Sequence, residues 1–219
     1  MNTIRIWFTK TGEASYISLL DLQRVMHRCL KRSGLPVWYT MGFNPHIYLT
    51  FACPLPLGQE SLTECVDCKT EQEAPDFEAW KQALNSVMPL GIAITKVEKA
   101  GLKAEHIGFA RYTVTCRDER MAGALQEYNA LPAALVQKKS KRGMKEIDLK
   151  QHIPEIHAEA CAEGCRFTLL LPASDTLNLN PALLLKFVEE HYAIPAVNSD
   201  VLRTEFLAKN GEKFGKLSI

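Results

Sequence analysis

SLLDLQRVMHRCLKRSGLP, Ser18 to Pro36, decides how the first half of the chain folds. At about 100° per residue, Leu19, Leu22, Val25, Met26, Cys29 and Leu30 share one face of a helix. Arg24, His27, Arg28, Lys31 and Arg32 fill the opposite face. Asp21 near the start and cations toward the end both suit the helix dipole. The expected helix runs from Ser18 to Ser33, with Gly34 just past its end and Pro36 beyond to stop it.

Strands are legible on either side. Ile4, Ile6 and Phe8 alternate with polar residues, the two-residue period of a half-buried strand. After the helix, HIYLTFA (46–52) and SLTECVDCK (61–69) read as two further strands, Asp76–Val87 as a helix and IAITKVEKA (92–100) as a strand. The order β-α-β-β-α-β predicts a ferredoxin-like antiparallel sheet with two helices on one face. The second half predicts a variation on that order. ARYTVTC is a strand and RDERMAGALQEYNAL a helix; AALVQKKS and MKEIDLK flank a turn, EIHAEAC and CRFTLLL form a hairpin, NPALLLKFVEEHY is a helix capped by Asn180 with Pro181 at its first position, and DVLRTEFLA closes as a strand. The expected class is α+β, with two ferredoxin-like units at 1–100 and 108–219 joined through KAGLKAEHI.

Composition narrows the function classes. With 219 residues, 47% hydrophobic and 23% charged, the chain has the balance of a globular protein with a substantial core. A net charge of +1 gives no global pull toward nucleic acid or membrane, so any basic surface is local. No apolar run approaches the roughly 20 residues of a membrane span. The seven cysteines sit in apolar or strand-like contexts with no signal peptide before them, which predicts free thiols in the reducing cytoplasm.

Local basic surface occurs twice. The polar face of the Ser18–Ser33 helix is one instance. The second is Lys138, Lys139, Lys141, Arg142 and Lys145, around a hairpin tip with Gly143 in the turn. Each reads either as a solvated charged face or as a phosphate-facing stripe, the footprint of a nucleic-acid binder. Catalytic and metal motifs are not self-sufficient here. Cys65 and Cys68 lack the second pair that a zinc site requires, and Ser61 stands where a third cysteine would complete an iron–sulfur run. The chain is expected to hold no metal and no cofactor of its own; whether it is an enzyme stays open, with the lack of a self-sufficient catalytic motif leaning against it. One enzymatic alternative has Ser18, Asp21, His46, Glu64 and Asp67 converging at one end of the sheet, with His46 in acid–base work.

YISLLDLQRVMHRCLKRSGLPV, GFNPH, LPLGQES and the pair Glu64 and Asp67 resemble the radical SAM-linked protein family, whose members are fused to, or encoded beside, cobalamin-binding radical SAM proteins. The likeness covers about the first 70 residues and resumes at KRGMKEIDLKQHI; Tyr48 and Leu49 depart from it. The resemblance implies a cobalamin-binding radical SAM protein as partner and, from translation-related gene neighbourhoods, a task in tRNA or rRNA modification or ribosome maturation. The function expected is an RNA-binding accessory module. Phe43, Asn44 and His46 would contact an unpaired base or sugar, and the two basic clusters would hold phosphates. A protein adaptor docking on the radical enzyme without RNA is the alternative. A weaker one is an RNA-processing enzyme similar in fold to CRISPR endoribonucleases, although KNGEKFGKLSI (209–219) is a poor match to their glycine-rich loop.

Overall fold

The computed structural model describes residues 1–140 and 143–215. The protein is of mixed α+β class and divides into two compact units, the first Met1–His106 together with the chain from Phe214, the second Ile107–Lys213.

In the first unit, β1 (Asn2–Lys10) leads through a 3-10 turn to α1 (Leu19–Arg32). Then follow β2 (Thr50–Phe51), β3 (Glu60–Thr70), α2 (Phe77–Asn85) and β4 (Ile92–Lys99). The strands lie in the order β4-β1-β3-β2, every neighbour antiparallel. Register explains why the core forms on one face. Ile4 opposes Cys68 and Ile6 opposes Val66 on β3, while Ile6 opposes Val97 and Phe8 opposes Ile94 on β4. These rows meet Leu22, Met26 and Leu30 of α1 and Trp80 and Leu84 of α2, all buried. Each such apolar side chain contributes about 1.5–3 kcal/mol on leaving water.

The opposite face of β1 carries Arg5 and Trp7. Arg5 makes a two-pronged bond to Asp67, Nε and Nη2 each donating at 2.8 Å, and its guanidinium lies 4.8 Å from the Phe214 ring. The Trp7 indole donates to Glu98 at 2.6 Å, and Glu98 also pairs with Lys96. Phe214 meets Trp7 edge-on at 6.1 Å.

In the second unit, β5 (Ile107–Cys116), α3 (Met121–Ala130), β6 (Leu135–Ser140) and β7 (Gly143–Asp148) are followed by β8 (Ala158–Cys161), β9 (Gly164–Pro172), α4 (Pro181–Tyr192) and β10 (Ser199–Ala208). Its sheet runs β10-β5-β9-β8, again antiparallel, and β6–β7 is a separate two-stranded hairpin. Val114 opposes Phe167 and Tyr112 opposes Leu169 between β5 and β9, among a core that includes Leu184, Phe187 and Val188 of α4. Asn180 caps α4 by accepting from Ala182 N at 2.9 Å, with Pro181 first in the helix.

Three boundaries differ from the sequence reading. Within HIYLTFA only Thr50 and Phe51 form a strand with β3, Ile47 bridging Tyr39 instead, and beyond Ala52 the left-handed φ of 40° at Cys53 turns the chain off β3. α2 stops at Asn85, whose amide brackets Ile94 by donating to its carbonyl at 3.0 Å and accepting from its N–H at 2.8 Å. α3 starts at Met121, since Asp118 accepts from both the backbone and the guanidinium of Arg120 and holds the preceding turn.

Candidate nucleic-acid interface

Ser18 starts α1 in the manner of a cap, its hydroxyl accepting from Asp21 N at 3.1 Å and donating to the Asp21 carboxylate at 2.7 Å. Asp21 also takes Arg24 in an exposed ion pair at 2.8 Å, and both contacts hold its carboxyl below the usual range. Arg24 thus has an acidic partner on its own helix, in a solvent-exposed pair of the kind that contributes little. Arg28, Lys31 and Arg32 are exposed and, among the described residues, have no acidic partner. Leu19, expected on the apolar face, is 36% exposed at the first turn. His27 is half-buried rather than fully on the solvent side.

The GFNPH loop is closed by its two ends. Thr40 N donates to the His46 carbonyl at 2.8 Å, and His46 N donates to the Thr40 hydroxyl at 3.1 Å. Tyr39 and Ile47 continue the closure as an antiparallel bridge. The imidazole Nδ1 lies 3.1 Å from both the Asn44 carbonyl and the Thr40 hydroxyl. A carbonyl oxygen only accepts, so Nδ1 carries the proton and Nε2 is the acceptor of the neutral ring. Gly42 adopts φ 128°, a region open to glycine, and a proline at 45 disfavours the helical conformation for the residue before it. At the tip, Phe43 is 99% exposed and Met41 89%.

In α1, burial first, then the charges of His46 and Lys31, hold the His27 imidazole below its usual pKa. On the residues that flank the GFNPH loop, the Lys69 ammonium sits over two rings, Trp38 at 5.5 Å and Tyr48 at 5.8 Å. Trp38, Tyr39 and Met41 line an open cleft of about 570 Å3 with Glu71 and Gln72. The aromatic pair and Lys69 escaped the sequence reading; Trp38-Tyr39 directly after the helix stop was the available signal.

In the second unit, Lys138 and Lys145 oppose each other across β6–β7, Lys139 opposes Met144, and Lys138 donates to the Asn178 carbonyl. Lys139 and Lys145 are exposed. Lys141 and Arg142 lie outside the described residues.

Of the residues of the enzymatic alternative, Glu64 is buried on β3 and the other four are engaged in contacts of their own. Ser18 and Asp21 cap α1, Asp67 holds Arg5, and His46 bonds Thr40 and Asn44. Cys65 and Cys68, three apart on β3, point to opposite sheet faces, and burial pushes the Cys68 thiol up to about 12. Cys165 opposes Cys116 on β5, and burial raises it to about 11. Among the described residues, no helix is long and apolar enough to cross a membrane.

Residues 3–181 match the model of a family described as "Uncharacterized protein conserved in bacteria (DUF2344)". The chain belongs to this family. The matched region spans α1, the GFNPH loop and the β6–β7 hairpin, so the family pattern takes in every candidate site residue. Comparison with curated proteins gives no match.

Proposed function

We propose that the protein is an RNA-binding accessory module. It would present an unpaired tRNA or rRNA segment to a cobalamin-dependent radical SAM enzyme, in RNA modification or ribosome maturation. The single observation that carries the RNA reading is the exposed cationic face of α1, where Arg28, Lys31 and Arg32 have no acidic partner among the described residues, in the same compact unit as a loop whose Phe43 is solvent-exposed. Cations fix the backbone without reading sequence, while an exposed ring and an imidazole acceptor suit an unstacked base. The radical SAM partner and the translation-related setting come from the sequence resemblance, and the cytoplasmic setting from the free-thiol reading of the seven cysteines. The ferredoxin-like duplication belongs with this reading; its support is that β4-β1-β3-β2 and β10-β5-β9-β8 are the same permutation of strands, with β6–β7 inserted.

The test is a mobility shift of bulk tRNA and rRNA at several salt concentrations. Three phosphate contacts on a single strand give a log–log salt slope of about −2, and Arg28→Ala reduces its magnitude by about 0.7. Binding by Arg28→Glu/Arg32→Glu equal to wild type ends the proposal. The adaptor alternative draws on the same exposed Phe43 and Met41, an apolar tip of the kind that docks on proteins. It predicts nuclease-insensitive co-purification with the radical enzyme, lost in Phe43→Ser.

A further inference from the structure

Arg28 and Arg32 do more than stud an exposed helix. Four residues apart, they stand on one face of α1 and line a cleft of about 370 Å3, within the range of roughly 300–1,000 Å3 for small-ligand sites. Val25 and Cys29 of the same helix and Val87, Met88 and Pro89 beyond α2 form the rest of its wall, with Ser86 at the edge. The apolar part is fixed in place. The Cys29 thiol donates to the Val87 carbonyl at 3.3 Å, and Val87 N and Met88 N donate to the Leu84 carbonyl at 3.0 and 3.1 Å. Burial raises the Cys29 thiol, so it is neutral at pH 7 and does not repel an anion. Among the described residues, neither guanidinium has an acidic partner or a hydrogen bond that would occupy its fork.

A purely solvated basic stripe requires no cavity, and a purely apolar cleft requires no pair of cations. The combination fits a ligand with a phosphate at one end and a flat, weakly polar body at the other. We propose that this cleft binds a single nucleotide, its phosphate monoester between Arg28 and Arg32 and its base or sugar against Val25, Val87 and Met88. Paired guanidiniums suit a terminal phosphate, which offers more oxygens and more charge than a phosphodiester. The inference rests on the RNA reading of α1 and narrows it: the helix takes a phosphorylated strand end, and one nucleotide is enough to occupy it.

Isothermal titration of the full chain with AMP and, separately, inorganic phosphate at low salt tests it. AMP is expected to bind at least about tenfold more tightly than phosphate, because only AMP uses the apolar wall. Arg28→Ala and Arg32→Ala, both exposed and so without effect on folding, are each expected to weaken AMP about tenfold. Met88→Ala should weaken AMP and leave phosphate unchanged. Equal affinities for AMP and phosphate, or an Arg32→Ala variant that binds AMP as wild type does, overturn the site. The two readings fail separately. An RNA shift without AMP binding removes the nucleotide cleft alone, and AMP binding without an RNA shift removes the RNA reading and leaves the cleft standing.

Discussion

Replacing Arg5 by Met should destabilise the first unit more than any surface substitution. Arg5 sits in mid-strand on β1, and its side chain and that of Asp67 are 2% and 16% exposed, so the pair is shielded from solvent. Removing one member of a buried pair costs about 3–5 kcal/mol, chiefly because the other charge is left unmatched. Water reaches the Asp67 edge, which puts the expected loss near the lower figure, about 3 kcal/mol. With a urea m-value of about 2 kcal/mol/M, that moves the midpoint down by about 1.5 M. Tryptophan fluorescence reads this unit alone, since Trp7, Trp38 and Trp80 all lie in Met1–His106. The double variant Arg5→Met/Asp67→Leu should return to within about 1 kcal/mol of wild type, because no charge is stranded. A midpoint shift under about 0.5 M for Arg5→Met would match an exposed ion pair and refute the argument.

Other predictions rest on single sites. His27 has a depressed folded pKa against 6.5 unfolded, so the unfolded chain binds the extra proton. Its contribution is present above 6.5 and is lost as pH falls toward the folded value. His27→Gln should therefore flatten the drop in urea midpoint between about pH 7.5 and 5.5; an NMR titration placing His27 at or above 6.5 would contradict this. Gly91 has φ 82°, and a Cβ there would stand 2.4 Å from the Thr11 carbonyl oxygen. Gly91→Ala is expected to cost about 2–3 kcal/mol, read as a lowered thermal midpoint. Of the seven thiols, Cys53 and Cys161 are half-buried and the rest buried. An aromatic disulfide reagent at neutral pH should titrate those two quickly and the others only on unfolding; fast reaction at Cys68 would be the contrary result.

Local periodicity made most elements legible, because a face that must be buried writes itself into every third or fourth residue, or every second. Leu22, Met26, Cys29 and Leu30 gave α1 its inward side in advance, and Asn180-Pro181 marked the start of α4. What stayed illegible depended on distant partners. HIYLTFA alternates well, yet its pairing ends where Cys53 turns away from Val66 and Asp67. Nothing near Phe214 announces that its ring will meet Trp7. The candidate site divides the same way. The cations were countable from the sequence, and Asp21 three residues before Arg24 already marked their local pairing, whereas the placing of Lys69 over Trp38 and Tyr48 arises only from tertiary placement.

The Thr40–His46 closure bears on how tightly the loop can hold anything. Confining one residue's backbone costs roughly 1–2 kcal/mol, and an unstructured loop would meet that cost for each residue at the moment of contact. Here the loop's ends and its histidine are already bonded to one another through Thr40 and Asn44. That part of the entropy is surrendered during folding, so a ligand of the proposed interface would meet a loop whose closure at Thr40 and His46 no longer has to be ordered on binding.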